Sequence, residues 1–123
     1  IPSPRGESTR IELRCPDPAM NPYLALAACL RAGLDGIEKQ MELPECVEGN
    51  MFTMGPEDMK SRNVERIPET LGDAIEAFDG DWFMKDVLGD HIYTKYLEAK
   101  EKEWRDFRAQ VTDWEVSEYL YKY

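Results

Sequence analysis

The amino-acid sequence predicts an α+β fold that is mostly helical, with one N-terminal strand followed by about five helices. Three observations support this prediction. One short segment near the N-terminus alternates polar and apolar residues, as a strand does. A longer apolar segment follows it, and most of the remaining chain carries apolar residues at helical spacing.

The predicted strand covers residues 8–15, within a region of loop and strand that extends over residues 1–16. Apolar or β-branched residues at 9, 11, 13 and 15 alternate with Arg10, Glu12 and Arg14, and Pro16 ends the pattern. The preceding residues 1–7 are rich in proline and glycine and are predicted to form a loop. A single strand requires partner strands, so we expect this segment to come from a longer polypeptide.

The next predicted element is a helix over residues 21–41. Asn21 is a favourable N-cap residue, and Pro22 suits the first helical position because its missing N–H is not needed there. Between residues 23 and 30 the helix is apolar on nearly all sides, which predicts that it is buried.

The rest of the chain divides into a connection and a helical end. Residues 42–68 form a long connection with one short helix, which begins at a Gly-Pro pair at positions 55–56. Residues 69–123 form a helical C-terminal subregion in which Gly89 separates a short helix from the longest one. Two capping boxes mark helix starts in this subregion, Thr70 with Asp73 and Thr112 with Glu115.

Size, charge and cysteine content limit the possible functions. The 123 residues form one domain at most, and their formal net charge of -10 argues against binding to nucleic acid or to an anionic membrane surface. No segment approaches the ~20 apolar residues of a membrane span. Three cysteines lack the spacing of a disulfide framework or a zinc site, and we interpret Cys15, Cys29 and Cys46 as buried free thiols of a reducing cytoplasm.

The residues with the clearest chemical potential are Arg10, Glu12 and Arg14. On a strand, residues two apart lie on one face, so the carboxylate is held between two guanidinium groups. Such a row suits a metal–phosphate–carboxylate assembly, in which glutamate supplies a hard oxygen to Mg²⁺ and arginine donates bidentate hydrogen bonds to phosphate or carboxylate. The alternative is an exposed strand face whose charges neutralise each other.

A longer run of residues favours the first alternative. The sequence RIELRCPDPAMNPYLALAACLRAGLDGI, residues 10–37, resembles the pattern of type I glutamine synthetases: an arginine–glutamate–arginine strand, a PDP turn, then NPYLA and AGLDGI. The resemblance continues more loosely to the helical end. It implies that the chain is the C-terminal portion of a glutamine synthetase catalytic domain, with its strand in a larger antiparallel sheet.

This resemblance implies an ATP-dependent ligase that joins ammonia to L-glutamate through γ-glutamyl phosphate. Glu12 matches the family's metal ligand near the γ-phosphate of ATP, with Mg²⁺ or Mn²⁺ as the metal. Arg14 matches the arginine that binds the glutamate substrate beside the transferring phosphoryl group. Arg10 is expected to face the nucleotide phosphates, and Arg5 corresponds to a basic loop residue that contacts ATP.

The resemblance also implies that these residues are only part of an active site. The family's other metal ligands and catalytic loops precede this segment, so the chain alone is expected to be inactive. The parent enzyme is expected to be a cytoplasmic dodecamer. Two alternatives remain: a non-catalytic helical assembly or regulatory module of the same ancestry, and a related γ-glutamyl ligase that acts on polyamines.

Two further positions bear on function. In some bacterial members of the family, a tyrosine in the connection is adenylylated, and Phe52 stands at the matching place. Phenylalanine has no hydroxyl group to modify, so we do not expect this regulation. The single histidine, His91, lies at a predicted helix start and is interpreted as a structural or capping residue.

Overall fold

The computed structural model describes residues 6–47 and 49–122 of the chain. The chain divides into two compact units, Ile1–Ile67 and Pro68–Tyr123. The first unit contains α1 (Pro22–Glu38) and α2 (Pro56–Ser61), and the second contains α3 (Leu71–Asp79), α4 (Trp82–Arg108) and α5 (Asp113–Tyr119). Two single-turn 3₁₀ helices, Gly6–Ser8 and Met51–Thr53, lie in the first unit. The predicted, mostly helical character is confirmed.

The prediction of a strand over residues 8–15 is wrong. Ser8 ends the first 3₁₀ turn, in which the Thr9 N–H donates a hydrogen bond to the Gly6 carbonyl at 3.0 Å. Residues 9–15 have no regular secondary structure. A strand is stabilised by hydrogen bonds to a neighbouring strand, and the described residues contain no second strand to provide them.

Helix α1 begins as the sequence predicts. The Asn21 side-chain oxygen accepts hydrogen bonds from the N–H groups of Tyr23 and Leu24, at 3.0 and 3.3 Å, and Pro22 is the first helical residue. These bonds satisfy two of the N–H groups that a helix start leaves without an intrahelical partner. The local prediction for this helix start is therefore confirmed.

The predicted burial of α1 is not observed. Most of its large apolar side chains are exposed, and so are Cys15, Cys29 and Cys46, which the sequence predicts to be buried thiols. Within the described part of the first unit, no other helix packs against α1. An apolar helix surface is buried only when another element covers it, so its pattern alone does not provide the burial.

Both helices of the first unit end in the same type of turn. After α1, the Met41 N–H donates to the Gly36 carbonyl and the Gln40 N–H donates to the Ile37 carbonyl, with Gln40 at φ 50°. After α2, Val64 and Asn63 repeat these two bonds, with Asn63 at φ 56°. This is the Schellman arrangement, which terminates a helix by pairing its last carbonyl groups.

The second unit is built from capped helices. The Thr70 hydroxyl accepts the Asp73 N–H at 3.1 Å, and the Asp73 carboxylate accepts the Thr70 N–H at 3.1 Å, so the predicted capping box is confirmed. Asp81 caps α4 by accepting the Phe83 N–H at 2.8 Å. Gly89 interrupts α4 with φ 71° and ψ 157°, which confirms the predicted break.

The capping box that begins α5 is also confirmed. Thr112 and Glu115 exchange backbone-to-side-chain hydrogen bonds at 2.8 and 3.2 Å. The N–H of Thr112, followed by its hydroxyl, lowers the pKa of the Glu115 carboxyl below its usual value. The charged form of this carboxyl therefore stabilises the first turn of the helix.

Tertiary packing in the second unit joins α3 to α4, and Tyr93 lies at its centre. Its side chain is only 7% exposed, and its ring stacks on Phe78 with 4.8 Å between centroids. The Tyr93 hydroxyl donates to the carbonyl groups of Phe78 and Asp79, whose oxygens lie 3.1 and 2.8 Å away. Burial, followed by the nearby Asp79 carboxylate, raises the pKa of this hydroxyl.

Gly72 and Trp104 form a second close contact between α3 and α4. A Cβ atom added at Gly72 would lie 2.7 Å from the indole of Trp104, too close for van der Waals contact. The Trp104 ring also stacks on Phe107, with 5.8 Å between centroids. The absence of a side chain at Gly72 therefore allows the two helices to approach each other here.

We predict that Gly72→Ala destabilises the second unit by about 1–3 kcal/mol, because the indole of Trp104 has to move. Urea unfolding followed by tryptophan fluorescence measures this, since all three tryptophans, at positions 82, 104 and 114, lie in this unit. Gly80→Ala is the matched control, because its added Cβ would meet only ordinary contacts at 3.7 Å or more. Equal unfolding midpoints for the two variants would contradict the close contact.

We predict that Tyr93→Phe lowers the urea midpoint of this unit, because the buried hydroxyl and its hydrogen bond to the Asp79 carbonyl at the end of α3 are lost. The wild-type chain should also lose stability as pH rises above about 10, since Tyr93 ionises more readily in the unfolded state than in the folded one. Tyr93→Phe should reduce this loss at alkaline pH. Tyr121→Phe, at an exposed ring, should change neither quantity.

Candidate functional site

The three residues that the sequence singles out, Arg10, Glu12 and Arg14, are joined through the carboxylate of Glu12. The Glu12 carboxylate lies between the two guanidinium groups and accepts hydrogen bonds from both. Each bond joins residues two positions apart, as expected when alternate side chains point to the same side of an extended backbone. The predicted shared face is therefore present, although the predicted strand is not.

The two arginines contact Glu12 unequally. Arg10 donates two hydrogen bonds to Oε1, from Nε at 2.9 Å and from Nη2 at 2.6 Å. Its third nitrogen, Nη1, donates to the Ser8 carbonyl at 3.2 Å, which anchors the guanidinium group to the backbone. Arg14 donates a single, longer bond of 3.3 Å from Nη2 to Oε2.

The cluster lies at the surface and has a net charge of +1. The side chains of Arg10, Glu12 and Arg14 are 49%, 37% and 89% exposed, respectively. Ion pairs between exposed side chains contribute about 0.2–1 kcal/mol each, so these contacts open readily. The arrangement is compatible with both hypotheses from the sequence, a ligand-binding site and an exposed face of mutually neutralising charges. Its charges do neutralise one another, and its groups are available for an incoming ligand.

The fourth predicted site residue, Arg5, lies outside the described residues. The structure therefore brings together three of the four predicted site residues and does not bear on the fourth.

The described residues provide one metal ligand at most in this cluster. Glu12 carries hard oxygen atoms of the kind that Mg²⁺ and Mn²⁺ prefer. Among residues 6–47 and 49–122, however, no group of three or more histidine, cysteine, aspartate or glutamate side chains lies together. Glu12 therefore fits as a single ligand, and further ligands would have to come from other residues.

Two further positions that the sequence singles out are His91 and Phe52. His91 is exposed on α4, in the second unit. Phe52 is fully exposed in the connection, and its N–H donates to the Asn50 side chain at 3.0 Å. Phe52 is thus accessible to solvent, but its ring offers no hydroxyl group.

A shallow surface depression lies beside α2, where the sequence indicates no site. It has a volume of about 430 Å³ and is lined mainly by residues of α2 and of the turn that follows, including Met59, Lys60, Asn63 and Arg66. The left-handed conformation of Asn63, a residue type that is enriched in this conformation, shapes this turn. Among helices in the described residues, none has the length and apolar character needed to cross a bilayer.

Comparisons with known proteins give a consistent result. A family model described as glutamine synthetase, catalytic domain, matches residues 1–119. Glutamine synthetase from Methanocaldococcus jannaschii is 50% identical over 120 residues, which are 98% of this chain and 26% of that protein. The Thermotoga maritima protein is 47% identical over 121 residues, and the Clostridium saccharobutylicum protein is 45% identical over 123, each with 28% of its length covered. These two matches cover 98% and 100% of this chain, respectively. The chain therefore spans only about a quarter of the length of the curated relatives that it matches.

Proposed function

The chain belongs to the family of glutamine synthetase catalytic domains, and from this premise we propose that it supplies part of an active site that joins ammonia to L-glutamate with ATP. The observation that carries the proposal is the convergence of Arg10 and Arg14 on the Glu12 carboxylate. One hard anionic group and two planar cationic groups lie within hydrogen-bond distance there. These are the groups that a metal–phosphate–carboxylate assembly requires.

Each residue has a distinct role in this proposal. Glu12 is a ligand of the Mg²⁺ or Mn²⁺ ion that neutralises the phosphates of ATP. Arg14 binds the glutamate substrate and stabilises the charge of the transferring phosphoryl group. Arg10, together with Arg5, binds the nucleotide phosphates. Phosphoryl transfer depends mainly on positioning and charge neutralisation, which fixed guanidinium groups and a metal ion provide.

The proposed activity requires residues beyond this chain. The described residues offer only one ligand at the cluster, and the relatives are about four times longer. We therefore propose that the active unit is the longer protein, assembled as a dodecamer in the cytoplasm, and that the 123-residue chain alone releases no phosphate from ATP in the presence of glutamate and ammonia. Phe52 supports the further proposal that this protein is not adenylylated at that position.

We predict that Glu12→Ala lowers activity by about 100-fold or more in a chimera in which the 120 matched residues of this chain replace the corresponding segment of the Methanocaldococcus jannaschii enzyme. The change removes a metal ligand where phosphoryl charge develops. Phosphate release dependent on glutamate, ATP and ammonia is the assay. Glu98→Ala, which removes an exposed carboxylate on α4, is the control and should stay within twofold of the parent chimera.

Near-normal activity of the Glu12→Ala chimera would overturn the metal assignment. An unsubstituted chimera that assembles but is inactive would favour the non-catalytic alternative instead. Activity with a polyamine in place of ammonia would favour the related γ-glutamyl ligases.

For Arg14→Ala in the same chimera, we predict a higher KM for glutamate and a lower kcat, since the guanidinium group contacts both the substrate and the transferring group. Steady-state kinetics with glutamate and ATP varied separately measures both effects. If only the KM for ATP changed, the roles of Arg10 and Arg14 would have to be exchanged.

A further inference from the structure

Helix α1 carries a continuous apolar face that is exposed in this structure. The face consists of five large side chains spaced three or four residues apart, which places them on one side of the helix: Tyr23, Leu26, Leu30, Leu34 and Ile37. Each of these residues is between 45% and 81% exposed. At the rise of an α-helix, the face is about 20 Å long. Contiguous apolar surface of this kind marks an interaction site in folded proteins.

A separate side of α1 carries charged residues that pair with one another. Arg31 Nη1 lies 3.2 Å from the Glu38 carboxylate and 4.0 Å from the Asp35 carboxylate. Lys39 Nζ lies 2.8 Å from the Asp35 carboxylate. Ion pairs of this kind are stable in contact with water, so this side of the helix requires no covering element. Only the apolar face does.

Hydrogen bonds fix both ends of α1, so the apolar face is formed before any partner binds. At the start of the helix, the Asn21 side chain accepts two backbone N–H groups. At its end, Gln40 and Met41 complete the Schellman turn. Among the described residues of the first unit, no other helix covers the face. A partner would therefore meet an ordered surface and would lose little free energy in ordering it.

We infer that the apolar face of α1 docks on apolar side chains of the part of the full-length protein that lies outside these 123 residues. Residues 1–119 match a catalytic-domain model, and a domain buries the apolar faces of its helices against its other elements. The chain covers only 26% and 28% of two relatives, so most of such a protein is available to provide the covering surface. The inference goes beyond the proposed function and does not depend on it, because it requires membership of the family but no catalytic activity.

The test compares thiol accessibility in the full-length chimera described above with that in the 123-residue chain. All native cysteines are replaced by serine, and one cysteine is introduced on the apolar face by Leu30→Cys or on the charged side by Glu38→Cys. Both positions are exposed in this structure, so they form a matched pair. The rate of reaction with a maleimide at neutral pH, divided by the rate in concentrated urea, measures the accessibility of each thiol.

In the chimera, the thiol of Leu30→Cys should react at least about 100-fold more slowly than the thiol of Glu38→Cys, because labelling of a buried position requires local opening. In the 123-residue chain, the two thiols should react at similar rates, since the covering surface is absent. Circular dichroism and sedimentation verify that each variant keeps its helices and assembles like its parent. Leu26→Cys, one turn earlier on the same face, takes the place of Leu30→Cys if that variant does not assemble.

Three outcomes would overturn the inference. Fast reaction of both thiols in the chimera would mean that the apolar face stays uncovered, and equal protection of both would mean that docking is not confined to this face. Protection of Leu30→Cys in the 123-residue chain would identify a different occupant, which is a second copy if the protection increases with protein concentration and another part of the same chain if it does not. A chimera that protects Leu30→Cys but is inactive would contradict the proposed function alone.

Discussion

Hydrogen bonds at helix ends are the interaction on which most of this structure depends. The side chains of Asn21, Thr70, Asp81 and Thr112 each accept backbone N–H groups at a helix start. These bonds involve residues two or three positions apart, so they form without help from distant parts of the chain. Short helices are marginal in water, and caps of this kind typically contribute about 1 kcal/mol each. They place the boundaries of α1, α3, α4 and α5.

Tertiary packing adds to this local order mainly in the second unit. Tyr93 joins the two effects, because its ring stacks on Phe78 while its hydroxyl donates to the last carbonyl groups of α3. The same side chain thus buries apolar surface and adds a donor to the last two carbonyl groups of the helix, of which that of Phe78 also accepts the Asp81 N–H. Among the described residues of the first unit, α1 has caps at both ends but no covering helix, and most of its large apolar residues remain exposed.

The contacts of the candidate site also form between residues that are close in the sequence. Arg10, Glu12 and Arg14 lie on one side of the backbone because they are two residues apart, and opposite charges draw them together. Their contacts are thus a property of five consecutive residues, independent of a sheet. The proposed chemistry, in contrast, requires more than these five residues. A single carboxylate and two guanidinium groups do not form a complete metal and nucleotide site.

The sequence by itself determined what depends on neighbouring residues: the helix starts, the break at Gly89, the grouping of Arg10, Glu12 and Arg14, and the family resemblance that the comparisons confirm. It did not determine burial or strand pairing. Residues 8–15 have the pattern of a strand and α1 has the pattern of a buried helix, yet neither state forms among the described residues. Strands and buried faces need a second surface, and only the tertiary structure decides whether that surface is present. For Tyr93 and Gly72 it is present, because α3 lies against α4.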